Sequence, residues 1–304
     1  MAMKELLFIF VNNLLPIFLA AAVGALVSWK AKVDVRHVSK VLFYVFSPCL
    51  VFSQIINNYQ PDMPFFSIAV VVFSTQVILG LLMFGLGKAL RYDRDLIVAM
   101  ILPVITINAG NMGMPICLFV FGDEGLAYAT IFFLMSNIGT YTLGVTVASM
   151  GKKSMLHAIL GVFKVPMIYS VIVAVIVIMT GWQIPLPVQR TVDILGNAAI
   201  PVMLVVLGMQ LQRANLRKNL KEIFICTGAR LLLSPFIVYL LTTLIGIQGL
   251  PQVTTLIQGG MPGAVTSTVV ATEYDTKPEF VTAAVTVATL LSPLTLTPLI
   301  ALLS

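Results

Sequence analysis

Two short stretches carry the residue types from which a binding site could be built, Asn108-Ala-Gly-Asn-Met-Gly-Met-Pro115 and Gly259-Gly-Met-Pro-Gly263. Each places glycine and proline inside a long apolar run, and these are the residues least compatible with a continuous helix, through backbone entropy and through a missing N–H and a ring clash. A break at membrane depth exposes N–H and C=O groups at several kcal/mol each, so it survives only against protein or a watery cavity. Asn108 and Gly110 suit the C-terminal cap of a first half-helix, and Pro115 and Pro262 suit the first position of a second. Facing helix N-termini would favour an anion, while the carbonyl ends of the first half-helices would favour a cation. Asn108, Asn111, Thr266 and Ser267 are candidate solute ligands, with Gly113, Pro115, Gly260, Pro262 and Gly263 as the backbone around them. Thr106, Asn137 and Thr268 are candidate ligands for a coupled ion, Na+ or H+. The competing reading is that the glycines and prolines only kink packed helices, which fits one broken run better than a matched pair.

Arg230, in Ala229-Arg-Leu-Leu-Leu-Ser-Pro235, is a strong charge well inside an apolar run. Burying it costs at least ~2.5 kcal/mol even on a lenient insertion scale, so it needs a cavity or a partner. An anionic solute is one such partner. Main-chain carbonyls of the broken helix, or snorkelling of the side chain, are the structural alternatives. The acids Asp62, Asp123, Glu124, Asp193, Glu273 and Asp275 fall at or near the ends of apolar runs, so none reads as a mid-membrane proton relay. Cys49, Cys117 and Cys226 are few and far apart, and His37 and His157 flank loops, so neither a disulfide framework nor a metal site is indicated. No cofactor is implied, and no paired acid, metal motif or nucleophile with a base points to an enzyme.

The elements that must position these residues are membrane spans. Of 304 residues, 59% are hydrophobic and 10% charged, and the mean hydropathy is +1.02. Apolar runs long enough for a ~30 Å hydrocarbon core recur along the whole length. The expected fold class is all-α with ten transmembrane helices. The first half holds about Leu6–Ser28, Val38–Ile56, Phe65–Leu90, Leu96–Phe121 with its break, and Leu126–Met150. The second half holds about Leu156–Thr180, Val188–Leu211, Leu220–Ile245, Pro251–Ala271 with its break, and Pro278–Leu303. Met1–Phe10 lacks the basic start and cleavage site of a signal peptide and reads as the beginning of span 1.

The 18 Lys and Arg residues then sort to one side, with Lys4, Arg190 and Arg230 as exceptions. The basic side comprises Lys30, Lys32, Arg36 and Lys40; Lys88, Arg91 and Arg94; Lys152, Lys153 and Lys164; Arg213, Arg217, Lys218 and Lys221; and Lys277. The positive-inside rule places both termini outside the cytoplasm, and it accounts for the net charge of +6 without nucleic acid. Five spans per half require any repeat to be inverted, giving halves 1–150 and 151–304. Such a repeat is faintly visible: Arg36 to Pro48 in span 2 resembles Arg190 to Pro201 in span 7, both broken spans hold Met-Pro after glycine, and an acidic turn follows each.

Leu14-Leu-Pro-Ile-Phe, Ser47-Pro-Cys-Leu-Val-Phe, Asn108 to Pro115, Ala198-Ala-Ile-Pro-Val-Met-Leu-Val-Val-Leu-Gly208, Arg230-Leu and Leu290-Leu-Ser-Pro-Leu-Thr-Leu-Thr-Pro298 occur in an order that resembles the bacterial branch of the auxin efflux carrier family. The resemblance implies a fold similar to that of sodium-coupled bile acid transporters: two inverted five-helix repeats, with broken spans 4 and 9 crossing. It further implies a scaffold of spans 1, 2, 6 and 7, often a homodimer surface, and a moving transport domain of spans 3–5 and 8–10. The implied function is secondary transport of a small organic anion across a bacterial inner membrane. The chain lacks the long central loop of the plant auxin carriers, and Asn111-Met-Gly-Met-Pro115 stands where they carry Asn-Pro-x-x-Tyr, so a malate- or malonate-type dicarboxylate is expected over auxin. A carrier of neutral or cationic solutes, a passive channel and a membrane-embedded enzyme are the rivals.

Overall fold

The computed structural model describes residues 3–58, 60, 62–149, 165–211 and 219–303. His157, the start of span 6 at Leu156, the end of span 5 at Met150, and the basic residues Lys152, Lys153, Lys164, Arg213, Arg217 and Lys218 lie outside the described residues. The first half runs α1 (Met3–Ile9), α2 (Leu15–Ala31), α3 (Val35–Val41), α4 (Ser47–Asn58), α5 (Phe65–Ala89), α6 (Arg94–Ile105), α7 (Met114–Gly139) and α8 (Val145–Ala148). The second runs α9 (Pro166–Thr180), α10 (Leu186–Leu211), α11 (Leu220–Gly228), α12 (Ser234–Ile245), α13 (Leu250–Gly259), α14 (Thr266–Glu273) and α15 (Pro278–Leu303). Seven helical runs among the described residues are long and apolar enough to cross a membrane, and one of them, Arg94–Ala148, contains the first break.

Widened π-turns join several of these helices, and their placement follows from proline. Phe10–Leu14, Leu42–Phe46, Ala109–Gly113 and Ala229–Leu233 each end two residues before a proline, namely Pro16, Pro48, Pro115 and Pro235. A proline ring clashes with the carbonyl one turn back and offers that carbonyl no N–H; one extra residue in the turn moves the carbonyl aside and keeps the helix going. The fifth, Thr140–Gly144, has no such proline and sits in a hydroxyl-rich stretch.

Two groups of helices pack among themselves. In one, α10 lies on α2 and α4, and α9 lies on α4. A Cβ at Gly24 would overlap the Val205 carbonyl and one at Gly208 the Ala21 carbonyl, so the α2 and α10 backbones touch. In the other group α5 packs on α6, α7 and α12, α13 on α7 and α12, and α15 on α6, α11 and α14. The groups meet where α10 contacts the Ala109–Gly113 turn and α4 contacts α7. The acidic turn after the first broken run shrinks to Gly122, whose φ of 65° and ψ of −159° redirect the chain inside α7. Only glycine adopts that backbone without strain.

Candidate functional site

The two breaks are where the fold concentrates backbone that helices do not satisfy. After α6, Thr106 turns extended (φ −89°, ψ 135°), and after α13 the chain stays irregular from Gly260 to Val265. They run antiparallel and bond to each other: the Asn108 N–H donates to the Pro262 carbonyl at 2.9 Å, and the Ala264 N–H donates to the Thr106 carbonyl at 3.4 Å. Gly263 is required at this contact, since a Cβ there would stand 2.4 Å from the Pro103 carbonyl oxygen. Pro262 has no N–H to return the first bond, and the Asn108 carbonyl accepts instead from Gly113 at 3.1 Å, closing the π-turn that leads into α7.

Two details differ from the sequence expectations. Pro115 does stand in the first turn of its half-helix, but Pro262 lies within the break and the second half-helix starts at Thr266. The Pro262 carbonyl is spent on Asn108, so the chain needs further residues to leave the contact before a helix can begin. Asn108 is not a left-handed C-cap; with φ −78° and ψ 52° it precedes the Ala109–Gly113 turn, and Thr106 ends α6.

Each first half-helix has its C-terminal carbonyls capped from the preceding long helix. Gln76 of α5 is fully buried, and its Nε2 donates to the Ile105 carbonyl at 3.1 Å and the Ser136 carbonyl at 3.4 Å. Arg230, between α11 and α12, is 1% exposed and donates from Nε to Met261 O at 2.8 Å, from Nη1 to Val104 O at 3.1 Å and from Nη2 to Gly259 O. The Ser234 hydroxyl donates to the same Gly259 carbonyl at 2.8 Å. Ile105 follows Gln76 by 29 residues, and Gly259 follows Arg230 by 29. Gln76 and Arg230 are also as far apart in the chain as Arg36 and Arg190.

A cavity of about 70 Å3 opens beside the breaks, well above the ~10–15 Å3 that one water needs. It is lined by Asn108, Gly110 and Asn111 from the first break, by Ala264, Val265 and Thr266 from the second, by Ser136, Asn137 and Thr140 of the neighbouring helix, and by Gln210 of α10. Every polar side chain on this lining is an amide or a hydroxyl. A family profile described as membrane transport protein matches residues 9–300. The chain belongs to this family. An uncharacterized transporter of Methanocaldococcus jannaschii is 26% identical over 264 residues, covering 84% of this chain and 86% of the relative. An uncharacterized transporter of Methanothermobacter thermautotrophicus is 24% identical over 268 residues, with 85% and 86% covered. A Rhizobium meliloti protein named "Putative malonate transporter" is 28% identical over 204 residues, 64% of each chain. The apolar helices and the family together make this an integral membrane protein of the auxin efflux carrier-like membrane transport family.

Within this family member, the predicted residues divide by place. Asn108, Asn111, Thr266 and Asn137 line the cavity. Ser267 is buried and its hydroxyl donates to the Ala264 carbonyl at 2.6 Å, while Thr106 donates to Leu102 O at 2.8 Å. Thr268 receives a bond from the Thr282 hydroxyl at 3.3 Å, away from the cavity lining. Gly113 faces the Gln258 amide, and Gly260 faces Leu299. Arg230 is not on the lining, because its guanidinium points at the carbonyl ends. Sequence reasoning missed Gln210, Ser136 and Thr140. Ser136 and Thr140 are four residues apart and so share a helix face next to Asn137, which is a readable signal. Gln210 offers none, since only the packing of α10 on the Ala109–Gly113 turn brings it there.

Proposed function

We propose that the protein is a secondary active transporter that moves a small organic anion by alternating access, with a malate- or malonate-type dicarboxylate favoured over an auxin-like monocarboxylate. The observation that carries this reading is the cavity at the two hydrogen-bonded breaks, whose lining includes Gln210 from the other helix group. A solute held there touches both groups, so sliding one against the other changes its access. In this reading α2, α4, α9 and α10 belong to the scaffold, which also supplies a homodimer surface, and α5–α8 with α11–α15 form the transport domain. The equal spacing of Gln76–Ile105 and Arg230–Gly259 supports ten spans in two inverted repeats with broken spans 4 and 9 crossing. Orientation with both termini outside the cytoplasm of an inner membrane follows the lysine and arginine distribution. The Rhizobium meliloti relative's printed name supports the dicarboxylate class.

The cavity's neutral lining favours a second reading, a Na+- or H+-linked carrier of a neutral or cationic solute. Purified protein reconstituted in a bilayer and scanned with malate, malonate, succinate, indole acetate and a neutral amino acid, by current and by isotope uptake, with and without sodium and a pH step, separates the two. Saturable dicarboxylate flux whose dependence on membrane potential has the sign of an anion is the expected result. Flux of the amino acid alone, or flux that neither saturates nor follows a gradient, overturns it.

A further inference from the structure

Three main-chain carbonyls from both broken runs converge on one buried point: Val104 in the last turn of α6, Gly259 at the end of α13, and Met261 in the second break. Helix C-termini carry partial negative charge, and carbonyls gathered there make the seat on which a discontinuous transporter helix holds a cation. Here the seat is taken. All three nitrogens of the Arg230 guanidinium are committed to these oxygens, and no carboxylate bonds to Arg230 among the described residues. Guanidinium stays protonated, so its charge is permanent.

We infer that Arg230 is a tethered replacement for a coupling cation, filling the carbonyl seat shared by the two broken runs so that no metal cation is needed there. The inference rests on the carrier reading for the word coupling, while occupancy of the seat stands on the hydrogen bonds alone. The first break shows the contrast. The long helix ahead of it supplies only the neutral Gln76, which donates to one α6 carbonyl and one α7 carbonyl, and the charge at Val104 comes from Arg230. An aliphatic chain holds Arg230 to its own helix, so this cation neither leaves nor returns during a cycle. Sodium therefore has nothing to gain at this seat in the wild-type chain, whereas emptying the seat should expose a site for a free guanidinium ion or Na+.

The test uses the purified full chain in detergent and reads thermal unfolding without any solute. For the wild type, the melting temperature should be the same in guanidinium and in urea at equal low-millimolar concentration. Arg230→Ala should melt several degrees lower, and low-millimolar guanidinium or Na+ should restore at least half of that loss in a saturable manner, with urea and choline inert. A loss that guanidinium and Na+ restore no better than urea and choline overturns the inference. If Arg230→Ala yields no folded protein, Arg230→Lys and Arg230→Gln replace it. The lysine variant should melt close to wild type and the neutral glutamine variant well below it; equal melting of the two shows that the seat does not require charge, and overturns the inference. Because no solute enters this assay, ion rescue with silent flux would remove the carrier reading alone, and solute flux without rescue would remove the seat alone.

Discussion

Gln76 and Arg230 occupy the same register ahead of the two broken runs, yet one is a neutral amide and the other a fixed cation. Both solve one physical problem, the orphan carbonyls at a half-helix C-terminus that neither lipid nor the next turn can satisfy. The two caps share the spacing between cap and capped carbonyl, 29 residues in each case. The chemistry is not shared: Gln76 reaches carbonyls of α6 and α7 alone, whereas the Arg230 charge reaches Val104 of the first broken run as well as Gly259 and Met261 of the second. The caps therefore agree in spacing and differ in charge.

The largest effect should come from removing the charged cap. Arg230→Leu leaves Val104, Gly259 and Met261 without this donor, at about 1–3 kcal/mol for each carbonyl that finds no other. Gln76→Leu strands chiefly Ile105, so a single loss of about 1–3 kcal/mol is expected, relieved in part because the buried Oε1 of Gln76 has no partner among the described residues. Size-exclusion profiles and melting temperatures of the two variants should therefore separate widely. Equal damage would mean that the two caps are interchangeable.

A smaller effect distinguishes the two breaks by what surrounds their glycines. A Cβ at Gly263 would strike the Pro103 carbonyl oxygen at 2.4 Å, and that backbone cannot turn away. A Cβ at Gly113 would strike the Gln258 amide at 2.1 Å, but that amide has no partner on either polar atom among the described residues and can rotate at little cost. Gly263→Ala should lower the melting temperature clearly, and Gly113→Ala only slightly. If the order is reversed, Gln258 is held by something stronger than packing.

The breaks themselves were legible because glycine and proline in an apolar run have a local meaning that needs no partner. Pro115 behaves as its position implies. Pro262 does not, since its role depends on the Asn108 N–H far away in the chain, and a single sequence does not say which break meets which. Arg230 was legible as a buried charge because any such charge demands an explanation. Its partners were not chosen in advance, because carbonyls are present at every residue and leave no mark on the sequence. Gln76 was invisible for the complementary reason: one amide among Ser74, Thr75 and Val77 forms no pattern, and only the arrival of Ile105 beside it gives it work. Gln210 joins the cavity through helix packing in the same way.

The smallest effect lies at the far ends of the two first half-helices. α6 begins behind Asp93, whose carboxylate accepts from the Leu96 N–H at 2.7 Å and pairs with Lys277 at 2.9 Å, whereas α13 begins behind Gly249, which has no side chain to offer. The Lys277 ammonium, and then the Leu96 N–H, hold the Asp93 carboxyl below the usual carboxylate range. A depressed carboxyl contributes stability above its unfolded pKa of about 3.9 and loses it as pH falls through the lower folded value. Because Asp93 is 63% exposed, the pair with Lys277 is worth less than about 1 kcal/mol. Melting curves of the wild type and Asp93→Asn should accordingly differ by a small constant amount at neutral pH and converge below about pH 4. Salt should shrink the gap by screening Lys277 while leaving the Leu96 cap in place. A gap that persists unchanged into acid would show that the start of α6 is held by shape instead of charge, and would make the two half-helix starts alike.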